Sequence, residues 1–181
     1  MKSEITPIAG LQVLYPDVFK DDRGWFYESY NIEKFEALGI HETFVQDNHS
    51  RSVQNTLRGL HYQSSPGQAK LIRCTRGRIW DVALDIRPDS PSFGKWYGLE
   101  LDDQACAMFF MPVGFAHGFC VLSDYAEVQY KCSSVYNGAT ESGIAWDDPD
   151  IAVAWPVKTP VLSKRDIGNT SFVRFSKSVK S

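Results

Sequence analysis

Alternation of apolar and polar residues is the dominant pattern in the chain. Between 79 and 86, Trp80 and every second residue after it are apolar, whereas Asp81 and Asp85 fall on the opposite face. A period of two is that of a β-strand, whose successive side chains point to opposite faces. Gly77 separates this strand from another apolar run at 70–75, so the pattern predicts a hairpin between them.

A second alternating segment covers residues 126–136. Its even positions begin with Ala126, Val128, Tyr130 and Cys132, while the odd positions between them are polar. Small and apolar side chains belong to the buried face of a strand. The alternation therefore predicts that the Tyr130 ring points into the interior.

One short helix is predicted near the N-terminal end. Asn31 can cap its first turn, Ile32, Phe35 and Leu38 share one face, and Gly39 ends it. Elsewhere glycine and proline punctuate short apolar runs, which is typical of an all-β domain.

The distribution of these runs predicts the architecture. Many short antiparallel strands without a long edge favour a jelly roll or barrel with a few short helices. At 181 residues with 43% hydrophobic content, the chain is expected to form one domain, residues 1–181. Its core is expected at about 11–166. Periodicity weakens after about 157, which predicts an irregular C-terminal tail that wraps the sheet.

Charge and composition exclude several function classes. The net charge is −3, with 19 basic and 22 acidic residues and no block of like charge, so no nucleic-acid or anionic membrane surface is expected. Glu4, Pro7 and Gly10 interrupt what a secretory signal would need as an apolar stretch. The uncharged run 105–122 approaches the length of a membrane span but contains Pro112, two glycines and a histidine, which predict strand, turn and strand instead.

The four cysteines match no zinc-binding spacing. Buried reduced thiols in a cytoplasmic protein are the expectation.

Two of the four histidines lie in segments suited to chemistry. His61 lies in a run rich in hydrogen-bonding groups, Arg-Gly-Leu-His-Tyr-Gln, and His117 follows a Pro-x-Gly turn. A histidine among apolar residues is often a structural group, and that alternative stays open for His117.

Pro-x-Gly-x-x-His resembles the second half-motif of cupin barrels. The first half-motif of metal-binding cupins would need a histidine where Gln63 stands and a glutamate beyond it, whereas Lys70 is the next ionisable residue. Because a lysine repels a metal ion, we expect a metal-free site.

Histidine, lysine and tyrosine could together epimerise a carbon beside a ketone. Removing the proton needs a positioned base, the enolate oxygen needs a cation, and inversion needs an acid on the opposite face. These roles suit His61, Lys70 and Tyr130 respectively, with Asp166 a candidate to orient the histidine. Lys70 shares parity with Ile72 and would lie inside if that face is interior; a lysine that reaches the surface is the alternative.

Eight separated blocks, in order from about Leu11 to Asp166, make the chain resemble the dTDP-4-dehydrorhamnose 3,5-epimerases. They are Asp-Arg-Gly-Trp-Phe-Tyr-Glu-Ser-Tyr at 22–30, Gln-Asp-Asn-His-Ser at 46–50, Leu-Arg-Gly-Leu-His-Tyr-Gln at 57–63, Lys-Leu at 70–71, Asp-Val-Ala-Leu-Asp-Ile-Arg at 81–87, residues 112–119, Tyr-Lys at 130–131 and Leu-Ser-Lys-Arg-Asp at 162–166.

The resemblance implies a cupin-type enzyme without a cofactor. Such an enzyme would invert carbons 3 and 5 of dTDP-4-keto-6-deoxy-D-glucose through an enolate, giving dTDP-4-keto-L-rhamnose. It implies His61 as base with Asp166, Tyr130 as acid and Lys70 at the enolate oxygen. Substrate-binding roles are implied for Arg23, Phe26, Glu28, Gln46, Asn48, Arg58, His117, Tyr136, Glu141 and Arg165, with Tyr136 stacking on the base. A homodimer with exchanged N-terminal strands is also implied, so that Arg23 or Glu28 could serve the neighbouring site.

Two departures from the family pattern concern the substrate. Arg165 stands where the family usually has lysine, and the loop 64–68 is shorter than in many members.

The alternatives to a double epimerase are a single-centre epimerase, a 3,4-ketoisomerase on a related nucleotide-linked sugar, a non-catalytic sugar-binding cupin and a metal-dependent oxygenase. The Arg-Gly-Leu-His-Tyr-Gln block favours epimerisation over ketoisomerisation, and Tyr130 favours the double epimerase over a single-centre one.

Overall fold

The computed structural model describes residues 1–179 and is built mainly from antiparallel strands. Within these residues the elements are β1 (Lys2–Ile5), β2 (Gln12–Tyr15), β3 (Phe19–Asp21), β4 (Gly24–Phe26), α1 (Ile32–Ala37), β5 (Gln46–Val53), β6 (Leu57–Gln63), β7 (Lys70–Arg76), β8 (Arg78–Asp85), β9 (Trp96–Asp102), β10 (Met108–Met111), β11 (Phe115–Val121), β12 (Tyr125–Cys132), β13 (Glu141–Gly143), α2 (Lys164–Ile167) and α3 (Phe172–Val179).

The strands form two large sheets and one small hairpin. The first sheet has the order β1-β2-β10-β7-β12-β5, the second has the order β13-β6-β11-β8-β9, and β3 pairs with β4 alone. Every pairing between these strands is antiparallel, and from β5 to β13 successive strands alternate between the two large sheets, except that β8 and β9 pair within the second. The all-β prediction is confirmed, with the interleaved order expected of a jelly roll.

The main core lies between the two large sheets. It takes side chains from both, including Ile72 and Val128 of the first sheet and Ala83 and Phe119 of the second. Tyr130 packs against this cluster. The alternation in 126–132 therefore predicted the inner face of β12 correctly, although the strand ends at Cys132 and does not continue to 136.

Strand β8 is buried on both faces. Asp81 and Asp85 lie on the inner side and are fully buried, whereas Val82 and Leu84 belong to a second cluster on the outer side of the sheet. Phe175 of α3 completes that cluster. The C-terminal segment is therefore not the irregular tail predicted from its weak periodicity, since α2 and α3 form within it.

The predicted hairpin at Gly77 is wrong. Strand β7 pairs with β10 and β12, whereas β8 pairs with β11 and β9 in the other sheet. Gly77 instead forms the corner between the sheets with φ of 78°, and a Cβ there would lie 2.3 Å from the carbonyl oxygen of Tyr125. A glycine in a left-handed conformation fits a sheet-changing corner as well as a hairpin.

Helix α1 follows its prediction closely. The Asn31 side chain accepts a hydrogen bond from the backbone N–H of Lys34, Phe35 is buried, and Gly39 adopts a φ of 79° just after the last turn. Ile32 differs, since half of it is exposed on the first turn.

The uncharged run 105–122 contains β10, a turn and β11, as predicted. Among residues 1–179, no helix is both long and apolar enough to cross a membrane. All four cysteines are buried and free, as expected.

Candidate functional site

A cavity of about 430 Å³ opens between the two large sheets. It lies where β5 and β12 of one sheet face β6 and β11 of the other. Its walls are Gln46, Asn48, Ser50, Arg58, His61, Gln68, Lys70, His117, Phe119, Tyr130, Tyr136, Glu141 and Arg165. Nine of the residues that the sequence assigned to substrate binding or catalysis are on this wall, together with Lys70 from the adjoining strand β7.

His61 is held by a carboxylate far away in sequence. Its Nε2 atom lies 2.6 Å from Oδ1 of Asp166, which follows the N-cap of α2. Asp166 is buried and also accepts hydrogen bonds from the Ser163 hydroxyl, at 2.6 Å, and the Gly59 backbone N–H, at 3.3 Å. The fold thus brings together the two residues that the sequence could only pair by hypothesis.

The surroundings of Asp166 keep it ionised. Burial alone would raise its pKa, but the hydrogen bonds from His61 and Ser163 outweigh burial and the pKa is lowered. An ionised carboxylate only accepts hydrogen bonds, so the His61 proton is on Nε2 and Nδ1 is the nitrogen free to accept a proton. This tautomer suits a general base.

Tyr130 and Lys70 come from the opposite sheet. On the paired strands β12 and β7, Tyr130 is opposite Ile72 and Cys132 is opposite Lys70, so the tyrosine and lysine are diagonal neighbours on one face. Burial raises the pKa of Tyr130, which keeps its hydroxyl protonated at neutral pH. A protonated phenol is therefore present on the wall facing His61.

Lys70 is 7% exposed and lines the cavity. Its Nζ atom donates to the backbone carbonyl of His61 at 3.4 Å, and among the described residues it has no carboxylate within salt-bridge distance. Burial lowers the pKa of Lys70, although the nearby Cys132, Glu141 and Asp81 oppose this. The interior position predicted by parity is confirmed, and the side chain does not reach the surface.

His117 is buried beside His61. The two residues are cross-strand partners on β11 and β6, and Nε2 of His117 lies 2.9 Å from Oδ2 of the fully buried Asp81. The His117 ring also lies 6.5 Å from the Tyr130 ring, centroid to centroid, and so bridges the two walls. It is both a hydrogen-bonded group and a cavity residue.

The cavity rim is polar and charged. Arg165 forms an ion pair with Glu141 at 2.7 Å, and half-exposed Tyr136 donates its backbone N–H to the Gln46 side chain. Arg58 is positioned by the Ser52 hydroxyl, 3.1 Å from its Nε. Cations beside an exposed aromatic ring suit a ligand that carries both phosphate and a flat base.

Three predicted binding residues lie away from this cavity. Arg23 is in the β3–β4 turn with its side chain 90% exposed and paired with Asp21, and Phe26 is 68% exposed on the same hairpin. Glu28 pairs with Lys34 of α1 at 2.8 Å. Within one chain the structure does not bring these residues to the other site residues.

Four residues of the site or its support were missed by the sequence analysis. Ser50, Gln68 and Phe119 line the cavity, and Asp81 supports His117. Ser50 shares parity with Gln46 and Asn48, which was a usable signal. Asp81 was placed opposite the apolar face of its strand, and nothing in the alternation indicated that this face is the interior one.

The prediction of a metal-free site rests on Gln63 and Lys70. Gln63 is buried and its amide is occupied by the segment 134–137, with contacts to Ser134 and to the Asn137 backbone N–H. Over residues 1–179, no group of three or more His, Cys, Asp or Glu side chains is arranged to hold a metal ion.

Comparison with known proteins gives a consistent result. Residues 5–173 match the family model described as dTDP-4-dehydrorhamnose 3,5-epimerase. The chain is 50% identical over 170 residues to the enzyme of that name from Shigella flexneri, covering 93% of this chain and 94% of the relative.

Two crystal structures are also similar. That of dTDP-4-dehydrorhamnose 3,5-epimerase from Elizabethkingia anophelis NUHP1 has a TM-score of 0.92 and 44% identity, covering 96% of this chain and 97% of the other. A 3,5-epimerase from Legionella pneumophila Philadelphia 1, in complex with dTDP-4-keto-L-rhamnose, has a TM-score of 0.91 and 44% identity, covering 94% and 92%.

Proposed function

Because the chain belongs to the dTDP-4-dehydrorhamnose 3,5-epimerase family and is therefore an isomerase, we propose that it inverts carbons 3 and 5 of dTDP-4-keto-6-deoxy-D-glucose. The product would be dTDP-4-keto-L-rhamnose, the molecule bound to the Legionella relative. The observation that carries this proposal is the arrangement of the cavity, with an oriented histidine on one sheet and a protonated tyrosine on the other.

The proposed reaction begins at His61. Both carbons flank the ketone at carbon 4, so each carries a proton acidified by the carbonyl group. Nδ1 of His61 would remove that proton while the C–H electron pair moves into the carbonyl, giving an enolate. Asp166 would stabilise the imidazolium that forms, through its 2.6 Å contact with Nε2.

Inversion would be completed from the facing wall. The Tyr130 hydroxyl would deliver a proton to the opposite face of the same carbon, and the electron pair would return to form the new C–H bond and the ketone. His61 and Tyr130 come from different sheets, which supports removal and addition of the proton on opposite sides of the sugar plane.

Lys70 would stabilise the enolate oxygen. Its ammonium is buried, has no carboxylate partner within salt-bridge distance among the described residues, and lies in the cavity that also holds the base. A cation that is already in place when negative charge develops lowers the barrier without reorganisation. The polar rim around Arg58, Arg165 and Tyr136 would hold the diphosphate and the thymine base.

The protein would act as a homodimer with exchanged N-terminal strands. The β3–β4 hairpin exposes Phe19, Trp25 and Phe26, and three exposed large apolar side chains on a short hairpin favour a covered surface. Arg23 and Phe26 would then complete the partner's cavity. We further propose that the enzyme is one domain, is cytoplasmic and needs no metal, which fits its four free buried thiols and the lysine in the site.

The decisive experiment is proton NMR of the chelator-treated enzyme with dTDP-4-keto-6-deoxyglucose in deuterated water. Deuterium at carbons 3 and 5, with a rhamno-configured product after reduction, is the expected result. Label at one carbon would indicate a single-centre epimerase. Absence of label, or activity only after metal is restored, would overturn the proposal.

A further inference from the structure

A chain of hydrogen bonds runs along the cavity wall from its rim to a buried thiol. The Tyr136 backbone N–H donates to Oε1 of Gln46 at 2.8 Å, and Nε2 of Gln46 donates to Oδ1 of Asn48 at 3.1 Å. Nδ2 of Asn48 then donates to Sγ of Cys132 at 3.5 Å. Gln46 and Asn48 line the cavity, whereas Cys132 is fully buried. The reaction proposed above gives this thiol no role.

The first link fixes the direction of the whole chain. A backbone N–H can only donate, so the side-chain atom of Gln46 that faces Tyr136 is its oxygen. The Gln46 nitrogen therefore faces Asn48, whose oxygen accepts, and the Asn48 nitrogen is left to face the sulfur. An amide nitrogen carries two hydrogens, and the second one on Asn48 has no acceptor among the described residues. That N–H is available to a ligand in the cavity.

Cys132 lies at the centre of the functional side chains on this sheet. It is the cross-strand partner of Gln46 on β5 and of Lys70 on β7. Asn48 and Tyr130 form the next cross-strand pair on the same face. The orientation of the Asn48 amide is therefore decided beside the proposed acid and beside the buried cation.

A thiol suits this position because it accepts a hydrogen bond without carrying a charge. Burial raises the pKa of Cys132, and the nearby Lys70 and Asn48 oppose this only in part, so the sulfur stays protonated at neutral pH. A carboxylate opposite Lys70 would neutralise the ammonium that the proposed reaction needs. An apolar side chain would remove one of the two contacts that hold the Asn48 amide.

We propose that Cys132 is a positioning residue, whose sulfur holds the Asn48 amide so that its second N–H donates to an oxygen of the bound nucleotide sugar beside Tyr130. The inference rests on the proposed function for the identity of the ligand, whereas the hydrogen-bond chain itself needs no ligand. Because the chain begins at the backbone of Tyr136, it also couples the loop at the rim to the orientation of Asn48.

Replacement of the thiol tests its role as an acceptor. Cys132→Ala removes the acceptor and should lower kcat/KM for deuterium exchange into dTDP-4-keto-6-deoxyglucose by about threefold to tenfold. Cys132→Ser returns an accepting group at nearly the same position and should recover most of that loss. A thiol that only fills space predicts the opposite order, because serine adds a polar group to a site that alanine leaves apolar. Serine no better than alanine would overturn the proposal.

A double-mutant cycle tests whether Cys132 acts through Asn48. In an Asn48→Ala background, Cys132→Ala should change kcat/KM by less than about twofold, because the group that the sulfur positions is absent. Fully additive losses would indicate a merely structural thiol and contradict the inference.

Cys74→Ala is the matched control. Cys74 is also a buried thiol, on the neighbouring strand β7, but its sulfur contacts the backbone carbonyls of Arg76 and Gly77 and is not on the cavity wall. The substitution should lower stability and leave kcat/KM of the folded enzyme unchanged.

The hydrogen bond to sulfur can also be measured without substrate. Solvent exchange of the Asn48 side-chain amide protons, followed by ¹⁵N NMR, should be about twofold to tenfold faster in Cys132→Ala than in the unsubstituted protein. Cys132→Ser should restore slow exchange, and Cys74→Ala should not alter it. Equal exchange rates with and without the thiol would refute the proposal. If the unsubstituted enzyme exchanges no deuterium with the dTDP sugar, the proposed function fails, while amide exchange still decides whether the sulfur holds Asn48.

Discussion

The Nζ atom of Lys70 lies 3.4 Å from the backbone carbonyl oxygen of His61. This contact ties the only buried lysine or arginine on the cavity wall, among residues 1–179, to β6, the strand that carries His61. A single backbone carbonyl is a weak partner for an ammonium group that is buried away from water. Keeping the charge in the site therefore lowers the stability of the fold.

Replacing Lys70 with an apolar residue should lower activity and raise stability. Lys70→Met keeps the length of the side chain and removes the charge, so we expect turnover to fall by about 10²-fold or more. The free energy of unfolding should rise by about 1 kcal/mol, because a buried charge gives way to an apolar group. Urea unfolding monitored by tryptophan fluorescence, beside the deuterium assay, measures both. A destabilised variant would contradict the account of Lys70 as a charge held for the enolate.

Loss of His61 should stop proton exchange at both carbons. One base is proposed for the two centres, so His61→Ala should lower deuterium uptake at carbons 3 and 5 equally, by roughly 10²- to 10⁴-fold. His49→Ala is the control, since His49 is half exposed on the sheet surface and pairs with Glu127. Uptake that survives at one carbon would mean that a second group serves as base there.

Tyr130→Phe should affect inversion more than exchange. The phenyl ring keeps the packing of Tyr130 against the core while the acidic hydroxyl is lost. Proton removal by His61 should continue, and the enolate should be reprotonated mainly from the original face. The measurement is the ratio of deuterium uptake to rhamno-configured product. Tyr97→Phe, which alters a tyrosine beside the same core, should leave that ratio unchanged.

Exchange of N-terminal strands should permit complementation between inactive chains. If Arg23 serves the partner's cavity, a mixed dimer of Arg23→Ala and His61→Ala chains contains one intact site. An equal mixture, refolded together, should then recover about a quarter of the normal activity, since half of the dimers are mixed and each has one working site. Recovery at the level of the separate variants would place Arg23 in its own chain's site.

Asp85 should make stability depend on acid pH. Burial alone would raise its pKa, but hydrogen bonds from Arg87, Ser90 and Ser92 lower the pKa to about 2. Because this is below the value of about 4 in an unfolded chain, the stabilisation is present above pH 4 and is lost as the pH falls towards 2. Asp85→Asn should therefore cost on the order of 1 to 2 kcal/mol at pH 7 and less at pH 3. Urea titrations at the two pH values test this.

The alternation of apolar and polar residues was sufficient to predict which side chains of β12 face the interior. Alternation fixes which side chains share a face, so Ala126, Val128 and Tyr130 were assigned together correctly. The cap at Asn31 depends on its neighbours alone and was also predictable. These features need no knowledge of which strand lies beside which.

Sheet membership and distant contacts could not be read from the same pattern. A glycine corner at Gly77 looks identical in sequence whether the next strand returns beside the last one or crosses to the other sheet. The contact between His61 and Asp166 joins positions 105 residues apart, and only the position of α2 against β6 creates it. The helix α3 was missed although four of its eight residues are apolar and Phe172 and Phe175 are one turn apart, so a usable signal was present.

The core between the sheets also bears on the stereochemistry of the proposed reaction. The proposed base, His61, belongs to one sheet and the proposed acid, Tyr130, to the other, and Ile72, Val128 and Phe119 belong to the core packed between these sheets. We therefore expect the volume of these side chains to influence the spacing of the two sheets, and with it the gap that a sugar ring would span. Enlarging or shrinking a core residue would move the two proton-transfer groups apart or together without altering either one. On this account the stereochemical outcome of the proposed reaction would depend on the packing as well as on His61 and Tyr130.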